Sequence, residues 1–235
     1  MPKRISVILP LLITTPWQEE LARFAIKTMR MRTSIPFELV IVETGSNNMR
    51  AAADQYVHFP DRTNYTHDFN AGLKAATGDL MVHIGLDIVV GKEWLEALLE
   101  CFDIPHTGIA TLNFGEPGAH IGPVEPEETF DEAWYGPLMM FRAGWKLDPL
   151  FPAQGSDNDL IMRHYLDGQR AIRNNRVKCF HIGGVSWTTA FSKAERDQIA
   201  QKAYADFKDR YHNSPLAVFR MMVRGQNQYS KEHLS

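Results

Sequence analysis

The stretch FNAGLKAATGDLMVHIGLDIVV, residues 69–90, decides the fold. It begins with a helical pattern, FNAGLKAATG, which Gly78 is expected to stop because glycine readily adopts the left-handed backbone that ends helices. It continues into DLMVHI, 79–84, an apolar run of strand length, after which Trp94, Ala97, Leu98 and Cys101 return at helical spacing. A helix, a buried strand and a second helix in that order build a parallel sheet with covering helices. Asp87 is the one carboxylate within HIGLDIVV (83–90), in the short link at that strand's carboxyl end. Open α/β sheets bind ligands outside the carboxyl ends of their strands, so Asp87 is a candidate site residue. A helix cap or a lysine partner is the alternative that position leaves open.

Working outward, the same alternation covers most of the chain. ISVILPLLI opens it, and Lys3 and Arg4 before this run imitate a signal peptide. Pro10 interrupts the run, no small-residue cleavage site follows, and nothing later approaches the ~20 apolar residues of a membrane span. A buried first strand, Ile5 to Leu9, is therefore expected. Thr15-Pro16-Trp17-Gln18 reads as an N-cap, a proline at the first helical position and a capping-box partner, with Leu21, Phe24, Ala25, Thr28 and Met29 on one face. FELVIVE (37–43) is a second strand ended by GSNN, and YVHF (56–59) a short third.

Composition narrows the function. The 235 residues suit one sizeable domain with a short extension, and 44% apolar content fills a core. A net charge of −3 lacks the basic excess of a general nucleic-acid binder. Two cysteines, Cys101 and Cys179, could form one bridge at most, and a reducing, cytoplasmic setting fits. No repeat or low-complexity tract is present.

With these motifs in order, residues 4 to 187 resemble the family 2 glycosyltransferases, nucleotide-sugar enzymes of the GT-A fold. ISVILP, VIVETGSNN, FNAGLKAATGDLM, GLDIVVGKEWLEALL, GPLMMFRAGW, GSDNDLIMR and FHIGG carry the resemblance. It implies a Rossmann-type, mainly parallel sheet with flanking helices over 1–187 and a helical carboxyl-terminal extension over 188–235. It also implies an inverting, metal-dependent transfer of a sugar from a nucleotide-sugar, UDP being the leading carrier.

The resemblance assigns roles residue by residue. Asp87 would hold Mn2+ or Mg2+ with His181 of FHIGG, although Gly85 and Leu86 stand where the family often has a further acid. Asp157 in GSDNDL, where the family commonly has Glu-Asp, would be the general base, its alternative being a helix cap. Asp159 would pair with Arg163 at i+4 or cap that helix's first turn. Glu43 would read the nucleotide base through an imide N–H. Asp68 and Asn70 would line the same pocket, with Phe69 replacing a common basic residue. From topology, Pro10 and Leu11 at the first strand's end would touch the nucleotide through backbone.

Asn113 to Pro137 holds four glycines, six acidic residues and no lysine or arginine, a composition typical of functional or mobile loops. The resemblance implies that this segment borders the acceptor site, where Trp134 and Tyr135 would form an apolar platform for a sugar ring; an ordinary solvated loop whose aromatics pack on the body is the alternative. Residues 188–235 carry eight Lys and Arg against five Asp and Glu, giving +3, and read as a helix from Lys193 to about Tyr211 followed by LAVFRMMVR. That last piece could meet a membrane surface, another subunit to form a homo-oligomer, or its own domain. A carbohydrate or protein acceptor is preferred to DNA, which remains possible. The rivals are a non-catalytic nucleotide-sugar-binding module and a nucleotidyltransferase, the latter lacking its glycine-rich phosphate loop after the first strand.

Overall fold

The computed structural model describes residues 3–115, 121–125, 128–133, 136–185, 188 and 191–212. Strand β1 (Ile5–Ile13) lies inside the parallel part of a large sheet, and all its residues except Leu12 are buried. Successive side chains on a strand point to opposite faces, so Val7, Leu9, Leu11 and Ile13 enter one core and Ile8 the other. Helices α1 (Pro16–Met31) and α3 (Trp94–Glu100) cover the first face; α2 (Tyr65–Ala75), α4 (Ser156–Leu166) and the carboxyl-terminal α5 (Lys193–Tyr211) belong to the second.

The remaining strands are β2 (Glu38–Gly45), β3 (Gln55–Phe59), β4 (Leu80–Ile84), β5 (Ile88–Val89), β6 (Thr107–Gly115), β7 (Gly122–Pro123), β8 (Phe130–Glu132), β9 (Leu138–Arg142) and β10 (Arg170–His181). Among the described residues they run β3-β2-β1-β4-β9-β6-β10-β5, with β7 and β8 also paired to β10. The half that contains β1 to β4 is wholly parallel, as expected. Beyond it β9 enters antiparallel between β4 and β6, while β10 runs parallel to β6.

Local chemistry explains the element boundaries. Thr15 and Gln18 form the reciprocal capping box, with Pro16 at the first helical position. The buried face of α1 turns toward Ala22, Ala25, Ile26, Thr28 and Met29, which leaves Phe24 50% exposed, contrary to its expected place in the core. β1 continues through Pro10 to Ile13 instead of ending at Leu9. Asn64 caps α2 by accepting from the His67 N–H at 2.9 Å, and the helix ends at Ala75, before Gly78. Gly78 has another purpose: a Cβ there would sit 2.7 Å from the Ser6 backbone nitrogen. Gly72 likewise admits α2 onto the sheet, since a Cβ would meet Ile8 at 2.4 Å and Val42 at 3.0 Å.

The segment expected as a loop over 113–137 contributes part of β6 together with β7 and β8, and Asp131 pairs with Arg173 of β10. Both cysteines are free and buried. No helix among the described residues is long and apolar enough to cross a membrane. LAVFRMMVR, Trp134 and Tyr135 lie outside the described residues.

Candidate active site

The site follows from where two strands part. β1 pairs with β4 only through Ile8, opposite His83, whereas its pairing with β2 continues to Ile13. The crevice beyond the carboxyl ends of β1 and β4 holds a cavity of about 380 Å³, at the kind of switch point where open sheets bind ligands. Pro10, Leu11, Asp68, Asp87, Asp157 and His181 all line it.

Asp87 sits in the turn between β4 and β5, a strand absent from the sequence reading. β5 pairs antiparallel with the end of β10, Ile88 opposite His181, and this pairing brings FHIGG to Asp87. His181 Nε2 lies 3.3 Å from Asp87 Oδ2, and the Val185 N–H donates to the same oxygen at 3.3 Å. Gly183 and Gly184 both have positive φ, the left-handed backbone that glycine adopts without a Cβ clash, and so turn the chain after His181 toward Asp87. Burial pushes the Asp87 carboxyl upward, but the His181 hydrogen bond and charge, together with the Val185 N–H, hold it below the ordinary value. Among the described residues no group of three or more His, Cys, Asp or Glu is gathered to hold a metal.

Asp157 is the second residue of α4, whose N-cap is Gly155 in the left-handed conformation. Desolvation raises its carboxyl above the ordinary value, against the lowering pull of the Asn158, Gly136 and Asp157 N–H groups. Asp159 turns away from the cavity. It is fully buried, accepts from Arg163 Nε at 2.8 Å and Tyr211 OH at 2.6 Å, and lies 3.3 Å from Arg210.

Two expected nucleotide contacts sit elsewhere. Glu43 is fully buried outside the cavity wall and accepts from Ser46 Oγ, the Asn48 and Met49 N–H groups and Tyr56 OH. It fixes the turn after β2. Asn70 clamps a neighbouring loop, its amide accepting from the Leu147 N–H and donating to the Leu147 carbonyl, both at 2.9 Å.

The cavity also gathers residues the sequence reading passed over. Arg62 lies on its wall with its guanidinium 4.2 Å from the ring centre of Phe191, another wall residue. Tyr65 and His83 share a hydrogen bond there, and burial pushes His83 down to about 3, which keeps it neutral. No local pattern marks these four, because the fold alone joins the loop before α2, the first residue of α2, β4 and the lead into α5.

Comparison with known proteins settles the family. The profile described as Glycosyl transferase family 2 matches residues 6–173. The chain belongs to glycosyl transferase family 2. No match was found among curated proteins. The glycosyltransferase fold is shared with the mannosyltransferase PcManGT from Pyrobaculum calidifontis, solved with GDP-Man and Mn2+, at TM-score 0.58, 15% identity, 97% of this chain and 81% of that one. GalNAc-T7, solved with UDP, GalNAc and Mn2+, gives TM-score 0.61 at 13% identity over 76% of this chain and 44% of that one. S. aureus TarS 1-349, in complex with UDP-GlcNAc, gives 0.59 at 15% identity over 87% and 66%. At such identities these neighbours support the fold of the glycosyltransferase, and its family membership rests on the profile.

Proposed function

We propose that this glycosyltransferase moves a sugar from a nucleoside diphosphate carrier, UDP being preferred, to an acceptor hydroxyl by a single inverting displacement. One observation carries the reading: Asp87, Asp157 and His181, far apart in the chain, line one cavity at the β1/β4 switch point. Asp157 takes the proton of the acceptor hydroxyl as that oxygen bonds to the anomeric carbon. The carbon–oxygen bond to the diphosphate breaks on the opposite face, and its electron pair leaves with the diphosphate. Burial around Asp157 raises its proton affinity and so strengthens it as a base.

Asp87 and His181 fit a divalent cation, since one carboxylate oxygen and one imidazole nitrogen face each other on the cavity wall; the carboxylate suits manganese or magnesium, and the imidazole nitrogen favours manganese of the two. With two protein ligands, the rest of the shell falls to phosphate oxygens and water, so metal and nucleotide bind together. When bound, the cation supplies Lewis-acid neutralisation of the charge on the leaving diphosphate. The solved neighbours with Mn2+ and UDP or GDP-Man support this assignment.

A carbohydrate or protein acceptor is preferred to DNA, because the segment before Pro137 is acidic and without basic residues. The test is proton NMR of the glycosylated product from an α-linked donor: a β-anomer supports single displacement, whereas retained configuration contradicts it.

A further inference from the structure

The nucleotide reading of this cavity requires a group that recognises the base, and the strand-end carboxylate expected for it is occupied. An ionised carboxylate has about four lone-pair sites. On Glu43 all four are filled: Ser46 Oγ and the Asn48 N–H (3.0 Å) reach Oε1, and the Met49 N–H (3.0 Å) and Tyr56 OH (2.7 Å) reach Oε2. A base N–H could bind Glu43 only by displacing one of these donors in a fully buried position.

Asp68 is also buried, at 6% exposure, but it differs in occupancy and in lying on the cavity wall. It lines the cavity from the first turn of α2, beside Thr44 at the carboxyl end of β2. Its Oδ1 meets Thr63 Oγ1 and His67 Nδ1 (3.1 Å), and its Oδ2 accepts from Thr44 Oγ1 at 3.0 Å. Three sites are taken, and one on Oδ2 remains. The three partners hold the carboxylate in one orientation, which a specificity contact needs.

We infer that Asp68, in place of Glu43, recognises the donor base by accepting a ring N–H that lies beside a carbonyl, the group shared by uracil and guanine. The inference rests on the nucleotide-sugar reading above. Cytosine carries a lone pair at the corresponding nitrogen, so an acceptor-only carboxylate meets it lone pair to lone pair. Asparagine at the same position can turn its NH2 toward that lone pair, and Asp68→Asn therefore changes which base is preferred.

Isothermal titration with manganese present, using UDP, GDP, CDP and N3-methyl-UDP on the unmodified protein, Asp68→Asn and Glu43→Gln, tests the assignment. The unmodified protein is expected to bind UDP or GDP at least ~10-fold more tightly than CDP, as the loss of one hydrogen bond to a charged group implies. UDP and GDP separate the two bases that share the chemistry. If UDP is the tighter, N3-methyl-UDP should lose a similar factor. Asp68→Asn should close or reverse the gap to CDP, with retained CDP binding reporting an intact fold. Glu43→Gln should lower the melting temperature yet keep the base preference. The methylated nucleotide needs no variant: binding as tight as that of UDP overturns the role of Asp68, as does a preference reversed by Glu43→Gln and untouched by Asp68→Asn. Equal, manganese-dependent binding of UDP, GDP and CDP overturns the base assignment and leaves nucleotide binding standing. Absence of binding by every nucleotide overturns the reading beneath both.

Discussion

At the scale of single residues, Asp157 combines a favourable position with an energetic burden. Its carboxyl is raised by desolvation, so ionising it at neutral pH costs folding free energy. Because the folded value lies above the unfolded one, the associated stability is present below the unfolded pKa and is lost as pH rises through the folded pKa. Asp157→Asn removes that charge without a change of size. It should leave the melting temperature at pH 7 unchanged or higher while lowering transfer by ~10²-fold or more, the range for loss of a general base. The acid limb of kcat/KM in the unmodified enzyme should lie above the ~3.9 of a free aspartate, since only the carboxylate accepts a proton. A melting temperature that falls together with activity would instead make Asp157 structural. The sequence marked Asp87, His181, Glu43 and Asn70 alike as polar groups near a site; folding brings the first two to the cavity wall and turns the other two onto neighbouring chain segments. Sequence shows that a polar group is present; the count of donors that folding aims at it decides whether it can serve a ligand.

At the scale of elements, the carboxyl-terminal helix is bound to the helix that carries the proposed base. Asp159 of α4 is fully buried and held by Arg163, Tyr211 and Arg210, and Arg210 also reaches Asp148 at 2.7 Å. Removing one member of a buried ion pair typically costs about 3–5 kcal/mol, because the partner charges lose their compensation. Asp159→Ala should therefore destabilise the protein by ~3 kcal/mol in urea unfolding, and Tyr211→Phe by ~1–3 kcal/mol. If both variants match the unmodified protein, α5 does not rest on α4 in solution. The Asp159–Arg163 pair was readable from i, i+4 spacing, as was the capping box of α1, because both are set within one turn of helix. The contact between α4 and α5 was not, and neither was the pairing of β5, β7 and β8 with β10. These short strands have no periodicity of their own and form only where β10 offers an edge.

At the scale of the molecule, charge and topology point to a small, shared site. The chain is acidic overall at −3. Duplex DNA should accordingly bind no tighter than tens of micromolar at physiological salt. Micromolar or tighter affinity that falls steeply as salt rises would reverse the acceptor preference. The parallel half of the sheet was legible because its strands are long apolar runs separated by capped helices. The antiparallel entry of β9 was not, since an apolar run carries no direction. The central claim is that nucleotide and divalent cation share one site built on Asp87. Thermal unfolding with UDP, with and without manganese, tests it most directly in the unmodified protein and in Asp87→Ala. A ligand at ~100 times its Kd adds about 2.7 kcal/mol, and each kcal/mol moves the midpoint by about 2–4 °C in a protein of this size. UDP should raise the midpoint, manganese should increase that rise, and Asp87→Ala should remove most of the increase. A manganese effect that survives Asp87→Ala intact, or no response to UDP in the unmodified protein, would contradict the account.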